Sequence, residues 1–428
     1  MKYGLIGEHL SHSFSGEIHA KIASYEYELH ELPPDALPTF MRKKDFLGIN
    51  VTIPYKQAVI PFLSEIDPAA EKIGAVNTVV NRNGRLFGYN TDFAGLRALI
   101  LHAGLDLSGA KVLILGTGGT SHTARAVSVA LGAASILTAG RQKKDGCITY
   151  EEAYARHADA DFLINATPCG MYPYPDGNEK TAGIPADLAK LPALRGVIDV
   201  IFNPLRTNLV LEARQRGIPA AGGLYMLVAQ AVAAAELFTG KPLDTALADK
   251  IYNEIRTEKE NIVLTGMPGS GKTTVGLYLA EKAGRRFLDT DAMIVKKAGK
   301  EISDIFAEIG NDGFRTLERK TVAEAANSTG AVIATGGGAV LSDDNVRALK
   351  RNGKIYFLDR ALENIVPTAD RPLALDKEAL AARFAERYER YLSTCDRQIV
   401  IDENVFHTVK AIEEDFYHAD SCHQRSES

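Results

Sequence analysis

Eight residues in the second half of the chain, Gly266-Met267-Pro268-Gly269-Ser270-Gly271-Lys272-Thr273, set a lysine and a hydroxyl directly behind a glycine-rich turn. They complete the G-x-x-x-x-G-K-[ST] pattern, in which backbone amides cradle phosphates, the lysine reaches the transferred end and the hydroxyl ligates Mg2+. An apolar run from Asn261 to Thr265 precedes the turn and a helical pattern follows it, which is the strand–loop–helix setting the pattern needs. A second glycine turn closes the run Leu113-Ile114-Leu115-Gly116-Thr117-Gly118-Gly119. Glycines there let the chain turn tightly and bring amides at a helix start against a pyrophosphate. Alone, G-x-G-G is as much an ordinary strand-to-helix turn as a dinucleotide loop. The next strand, Ser135 to Ala139, narrows the choice, because it ends in Gly140-Arg141-Gln142-Lys143-Lys144 and offers no acidic residue to a ribose hydroxyl. A cationic cluster there suits the 2'-phosphate of NADP, with Arg141 giving a planar two-pronged contact; a solvated basic turn is the alternative.

Two such turns need two sheets to hold them. At 428 residues the chain exceeds one ordinary core, and two or three domains are expected. Short alternating strands and helices, including Tyr3 to Gly7, Phe46 to Ile53 and Val76 to Val80, fill a small α/β domain over residues 1–100, completed by 223–255. A Rossmann-type domain follows over 101–222. The charged stretch Arg256-Thr257-Glu258-Lys259-Glu260 is read as a linker, and 261–417 as a P-loop domain with a parallel sheet. The polar residues 418–428 form a tail.

Composition limits the classes of function. With 46% hydrophobic and 24% charged residues, a net charge of -5 and a pI near 6.1, the chain reads as soluble and globular, without the basic surplus that nucleic acid requires. Cys147, Cys169, Cys395 and Cys422 show no C-x-x-C spacing, which argues against a disulfide framework or zinc and for a reducing cytoplasm. Met1 to Gly7 reads as a strand rather than an export signal. The most apolar segment, Leu224 to Phe238, falls short of the ~20 residues of a membrane span and carries Gln230 and Glu236, so a buried helix is expected and no membrane partner.

Ahead of the first glycine turn stand Gly48-Ile49-Asn50-Val51-Thr52-Ile53-Pro54-Tyr55-Lys56, Gly74-Ala75-Val76-Asn77-Thr78 and Gly88-Tyr89-Asn90-Thr91-Asp92. With them come His12-Ser13-Phe14-Ser15, Asn165-Ala166-Thr167-Pro168 and Gly223-Leu224-Tyr225-Met226-Leu227 leading to Gln230. In this order and spacing, residues 1–255 resemble shikimate dehydrogenases. The resemblance implies Lys56 and Asp92 as the catalytic pair, Ser13 and Ser15 on the substrate carboxylate, and Thr52, Asn77, Asp92 and Gln230 on the ring hydroxyls. It implies Gly116, Gly118, Gly119, Arg141, Thr167, Gly223 and Met226 around NADPH. The chemistry agrees, since an ammonium held by a carboxylate can stabilise the alkoxide left by hydride delivery and supply its proton. Phe202 stands where many members carry Tyr.

Behind the second turn follow Phe287-Leu288-Asp289-Thr290-Asp291, Phe314-Arg315-Thr316-Leu317-Glu318, Gly336-Gly337-Gly338 and Arg371-Pro372-Leu373. Together with the P-loop these resemble shikimate kinase. The resemblance implies ATP against Gly266, Gly269, Ser270, Gly271, Lys272, Thr273, Thr274 and Arg371, with Mg2+ at Thr273 and Asp289. Asp291 would meet the acceptor hydroxyl, Arg315 and Arg387 its carboxylate, and the triple glycine its ring; Lys272, Asp291 and Arg371 form the catalytic set. The lid, Ala361 to Ala374, is short, and Val366-Pro367-Thr368 stands where an extra arginine is common.

The implied reactions are reduction of 3-dehydroshikimate with NADPH and phosphorylation of shikimate with Mg-ATP. The rival is an NAD-preferring quinate/shikimate dehydrogenase joined to a nucleotide-binding regulatory module of little turnover. The basic turn at Arg141 speaks against the first half of that rival, and Lys272, Asp291, Arg315 and Arg387 against the second.

Overall fold

The computed structural model describes residues 2–10, 13–143, 146–172, 183–365, 377–402 and 404–418. Strands β1 (Tyr3–Gly7), β2 (Tyr27–Glu31), β3 (Gly48–Val51), β4 (Glu65–Ile66), β5 (Thr78–Arg82) and β6 (Arg85–Tyr89) form a mixed sheet ordered β2-β1-β3-β5-β6-β4. β1 runs parallel to β2 and β3, whereas β5 is antiparallel to both β3 and β6. The reversal from β5 to β6 is the two-residue turn Asn83-Gly84, both residues at positive φ (53° and 83°), as a hairpin of this hand requires.

Strands β7 (Lys111–Leu115), β8 (Ser135–Gly140), β9 (Ile148–Thr149), β10 (Phe162–Asn165), β11 (Gly196–Asp199) and β12 (Ala220–Ala221) make an all-parallel sheet ordered β12-β11-β10-β7-β8-β9. Val112 to Leu115 and Phe162 to Asn165 are buried along their length, which explains their unbroken apolar runs. This is the doubly wound order, in which the strand sequence reverses between β7 and β10 and leaves a crevice beyond their carboxyl ends.

Helix Leu224–Thr239 returns to the first part of the chain. It buries Leu224, Val228, Ala231 and Ala235 with Phe14 and with Ile18 and Ile22 of helix Ser15–Ile22, and it lies against helix Thr91–His102. The two helices touch at Gly95, where a Cβ would stand 2.5 Å from the Met226 carbonyl oxygen and 2.9 Å from the Gln230 Cβ.

Chain contacts divide the molecule into two compact units, Met1–Ile255 and Arg256–Ser428. In the second unit, β13 (Asn261–Thr265), β14 (Arg286–Asp289), β15 (Ala331–Ala334), β16 (Gly353–Asp359) and β17 (Arg397–Val400) form a parallel sheet ordered β14-β15-β13-β16-β17. Residues 256–260, read from sequence as a linker, are helical to Lys259 as the end of helix Leu247–Lys259. No residue there breaks a helix, and Arg285 takes up the free terminal carbonyls, its Nη2 and Nη1 donating at 2.6 Å to the oxygens of Thr257 and Glu260. Among the described residues no helix is long and apolar enough to cross a membrane, and Cys147, Cys169 and Cys395 are free thiols; Cys422 and the tail from 419 lie outside the described residues.

Candidate active sites

In the first unit, Lys56 follows β3 and Asp92 sits in the first turn of helix Thr91–His102, capped by Asn90, whose side chain accepts from the Phe93 amide at 3.2 Å. The Lys56 Nζ donates to Asp92 Oδ2 at 2.6 Å, with the two side chains 23% and 11% exposed. This ammonium is shielded from bulk water yet open on one side, so its charge acts at short range. Asn77 fixes the surroundings: its Oδ1 accepts from the Thr91 amide at 2.7 Å, and its Nδ2 reaches Thr91 Oγ1 at 3.1 Å and Gln230 Oε1 at 3.4 Å. The Gln230 amide donates to the Leu227 carbonyl at 3.0 Å. The network continues through Thr78 to Asn50 at 3.0 Å and from Asn50 Oδ1 to the Tyr27 hydroxyl at 2.7 Å. Lys56, Asp92, Asn77 and Gln230 thus come together across β3, β5 and two helices.

Ser13 and Ser15 share a local turn, with the Ser15 amide on Ser13 Oγ at 3.2 Å, and the Thr52 amide binds the Ile6 carbonyl at 3.0 Å. His12 lies outside the described residues. Phe202 stands edge-on to Phe14, ring centres 5.3 Å apart, and packs in the same apolar cluster. Sequence reasoning missed Gly95; its only signal was a glycine inside a helix, where alanine would be favoured by about 1 kcal/mol.

The dinucleotide turn occupies the crevice between β7 and β10. Gly116 has φ +107°, and a Cβ on it would lie 3.0 Å from Thr167 Cγ2 and 3.1 Å from the Ala166 carbonyl. Gly118 has open space where its Cβ would be, and a Cβ on Gly119 would meet only Ala75 at 3.7 Å, at the N-terminus of helix Gly119–Ala130. Such a cradle suits a pyrophosphate. Thr167 is fixed by its hydroxyl, which donates to Asn165 Oδ1 at 2.7 Å, and Asn165 Nδ2 donates to Asp199 Oδ1 at 3.0 Å. Asp199, also missed, is fully buried: burial pushes its carboxyl up to about 7 against the pull of Thr207 Oγ1, the Ile201 amide and Asn165. Gly223 admits no side chain, since a Cβ would fall 2.0 Å from the Val200 carbonyl, and Met226 is buried. Arg141 is exposed at the end of β8, whereas Lys143 is paired with Glu152 at 2.9 Å and Lys144 lies outside the described residues. Of the two described cations of the turn, Lys143 is ion-paired and Arg141 is not.

In the second unit the P-loop joins β13 to helix Lys272–Ala283 through Gly266, Gly269 and Gly271, with φ of 146°, 86° and 91°. A Cβ at Gly266 would meet the Leu358 carbonyl at 2.7 Å, while the space beside Gly271 is open. Ser270 is buried in the turn and Thr274 exposed on the helix. Lys272 Nζ curls over the loop to the carbonyls of Gly266 and Met267, both at 2.9 Å. Thr273 Oγ1 donates to Asp289 Oδ2 at 2.9 Å, and Asp289 Oδ1 caps helix Thr290–Ala298 by accepting from the amides of Asp291 and Ala292. A hydroxyl and a carboxylate side by side fit Mg2+, which takes few protein ligands and completes its shell with water and phosphate oxygens. Among the described residues no cluster of three or more His, Cys, Asp or Glu competes as a metal site.

After β15 the three glycines each close on a different partner. A Cβ would stand 2.5 Å from Asp291 Oδ1 at Gly336, 2.8 Å from Pro268 Cδ at Gly337 and 2.4 Å from Arg315 Nη1 at Gly338. Arg315 Nη1 binds Glu318 Oε2 at 2.9 Å, and Glu318 is buried. Buried Arg387, on helix Lys377–Thr394, donates from Nη1 to the Gly337 carbonyl at 3.3 Å, and the Tyr391 hydroxyl donates to the same oxygen. Gly310 breaks helix Ile302–Ala326 with φ 67° and ψ -177°, five residues before Arg315, so the arginine rides on a segment separately aimed. Arg371 lies outside the described residues.

Both units match known families. Residues 5–79 match the shikimate dehydrogenase substrate binding domain, 223–250 the shikimate 5'-dehydrogenase C-terminal domain and 268–415 shikimate kinase. The first unit is 34% identical over 272 residues to shikimate dehydrogenase (NADP(+)) of Clostridium perfringens, covering 59% of this chain and 98% of that enzyme. Among solved structures, shikimate dehydrogenase 1 from Peptoclostridium difficile shares 34% identity at a TM-score of 0.54, over 60% of this chain and 98% of that one. The Thermus thermophilus shikimate 5-dehydrogenase in complex with NADP(H) and shikimate shares 28% identity at 0.53, over 59% of this chain and 99% of that one.

Proposed function

The chain belongs to the shikimate dehydrogenase family through its first unit and carries a shikimate kinase domain in its second, and on that premise we propose how its residues divide the work. It is a bifunctional enzyme of the shikimate pathway, reducing 3-dehydroshikimate to shikimate with NADPH and phosphorylating shikimate to shikimate 3-phosphate with ATP. The observation that carries this reading is that each unit holds its own reactive set: Lys56 with Asp92 in one, Asp291 and Arg315 closed in by the triple glycine in the other.

NADPH, when bound, supplies the hydride. The amides of Gly116, Gly118 and Gly119 would hold its pyrophosphate, Thr167, Gly223 and Met226 would add to its binding site, and Arg141 would take the 2'-phosphate. Ser13 and Ser15 bind the substrate carboxylate; Thr52, Asn77 and Gln230 bind the ring hydroxyls. Lys56, oriented by Asp92, stabilises the developing alkoxide and gives it a proton.

ATP with Mg2+, when bound, supplies the phosphoryl group. Thr273 and Asp289 would hold the cation. Asp291 accepts the proton of the attacking hydroxyl, Arg315 and Arg387 grip the carboxylate, and Lys272 and Arg371 meet the charge on the moving group. The free thiols of Cys147, Cys169 and Cys395 support a reducing compartment such as the cytoplasm.

The test is a coupled assay on the full chain with 3-dehydroshikimate, NADPH and ATP. NADPH oxidation should be matched by shikimate 3-phosphate. Lys56→Ala should cut reduction by on the order of 10²- to 10⁴-fold, as losing a proton donor does, while phosphorylation of added shikimate stays within about twofold. Comparable loss of both activities would refute the separation of sites.

A further inference from the structure

One arginine near the second site is unused by the reading above. Arg383 lies on helix Lys377–Thr394, four residues before Arg387 and eight before Tyr391, so the three share one face of the helix. Arg387 and Tyr391 both end on the carbonyl of Gly337, between the glycines that abut Asp291 and Arg315. Arg383 is half-buried and, among the described residues, makes no hydrogen bond or ion pair. Partial burial, then the like charge of Arg387 and that of Arg315, hold its guanidinium below the usual arginine range, with Glu386 opposing.

The local charge is unbalanced. Of the carboxylates at hand, Glu318 is taken by Arg315 at 2.9 Å, and Glu386, 61% exposed, stands 3.9 Å from Arg387. Asp291, beside Glu318 at Gly336, serves the acceptor hydroxyl, so the arginines Arg315, Arg383 and Arg387 are drawn to one side of the site with Glu318 as their buried counter-charge. Such an arrangement repels itself until an anion enters. The anion that fits is one held by Arg315 and Arg387 already.

We propose that Arg383 is a third acceptor-binding arginine, its guanidinium joining Arg315 and Arg387 on the carboxylate of the cyclic acid that the second unit phosphorylates. The inference rests on the kinase reading of that unit. Its test is steady-state kinetics of the full chain with shikimate at saturating ATP, with the neutral methyl ester of shikimate assayed as a competitor.

Wild-type turnover of shikimate is the premise, and an inert wild type would overturn the kinase reading itself. Arg383→Leu should raise the KM for shikimate ~10-fold or more, as loss of a hydrogen bond to a charged group does. Its kcat should stay within about threefold and its KM for ATP within about twofold, while the Ki of the ester does not change. Arg383→Gln, which keeps the stem and helix propensity, should show the same split, and Arg383→Lys should recover part of the loss. A KM for shikimate within twofold of wild type in both neutral variants, or an equal loss for the ester, would overturn the proposal and leave the kinase reading standing.

Discussion

Gly95→Ala isolates the contact that sets Asp92 against Gln230. The added methyl would lie 2.5 Å from the Met226 carbonyl oxygen, 2.9 Å from Gln230 Cβ and 3.2 Å from the Gln230 amide nitrogen. Ordinary contact begins near 3.4 Å, so one helix must retreat by about 0.9 Å from backbone atoms that cannot rotate away. Overpacking of this kind costs ~1–3 kcal/mol, and alanine returns about 1 kcal/mol through helix propensity, so the net loss of stability is ~0–2 kcal/mol. The effect on chemistry is larger, because the retreat separates Asp92 and its partner Lys56 from Gln230. A displacement near 1 Å in a positioned site costs on the order of 10²-fold in rate. The assay is kcat/KM for 3-dehydroshikimate reduction beside a thermal melt, with shikimate phosphorylation by the same chain as internal control. Reduction within threefold of wild type would show that the helices carry no positional information for the reaction.

Gly336→Ala puts a methyl 2.5 Å from Asp291 Oδ1, and kinase kcat should fall on the order of 10²-fold while carbonyl reduction is unchanged; a loss under threefold would show that Asp291 can move freely. Asp199, raised by burial from 3.8 to about 7, holds a proton in the folded chain that the unfolded chain releases. Its contribution to stability is full below about pH 4 and is lost as pH rises through about 7. Melting of the full chain between pH 5 and 8 should therefore fall more steeply with pH in the wild type than in Asp199→Asn, and equal slopes would remove Asp199 as the cause.

The glycine turns were legible because backbone geometry forces residue type: Gly116, Gly266, Gly269 and Gly271 all sit at positive φ, and a sequence displays that demand directly. Runs such as Val112 to Leu115 announced a strand buried on both faces. Boundaries were less visible. Phe46 to Ile53 narrowed to Gly48–Val51, and Val76 to Val80 shifted to Thr78–Arg82, because the Asn83-Gly84 turn sets the register rather than hydrophobicity. The charged run at 256–260 looked like a linker, yet its helix is completed by Arg285, 28 residues beyond Thr257. Gly95, Asp199 and Arg383 escaped notice for one reason. Each takes its meaning from a neighbour that only folding supplies, as Gln230 lies 139 residues from Thr91.

In the second unit every strand points the same way, so each loop that follows a strand opens on one rim of the sheet: the P-loop after β13, Thr290 and Asp291 after β14, the triple glycine after β15. The chain from the first unit arrives at the other rim, since helix Leu247–Lys259 delivers it to Asn261 at the start of β13. Five residues at about 3.3 Å each put roughly 16 Å of central strand between that seam and the first glycine of the phosphate turn. A gene fusion at this seam thus grafts onto the chemically silent end of a working enzyme. The join at Asn261 and the reacting loops occupy opposite ends of the same strands, so the P-loop, the Asp291 turn and the triple glycine keep their course whatever sequence precedes β13.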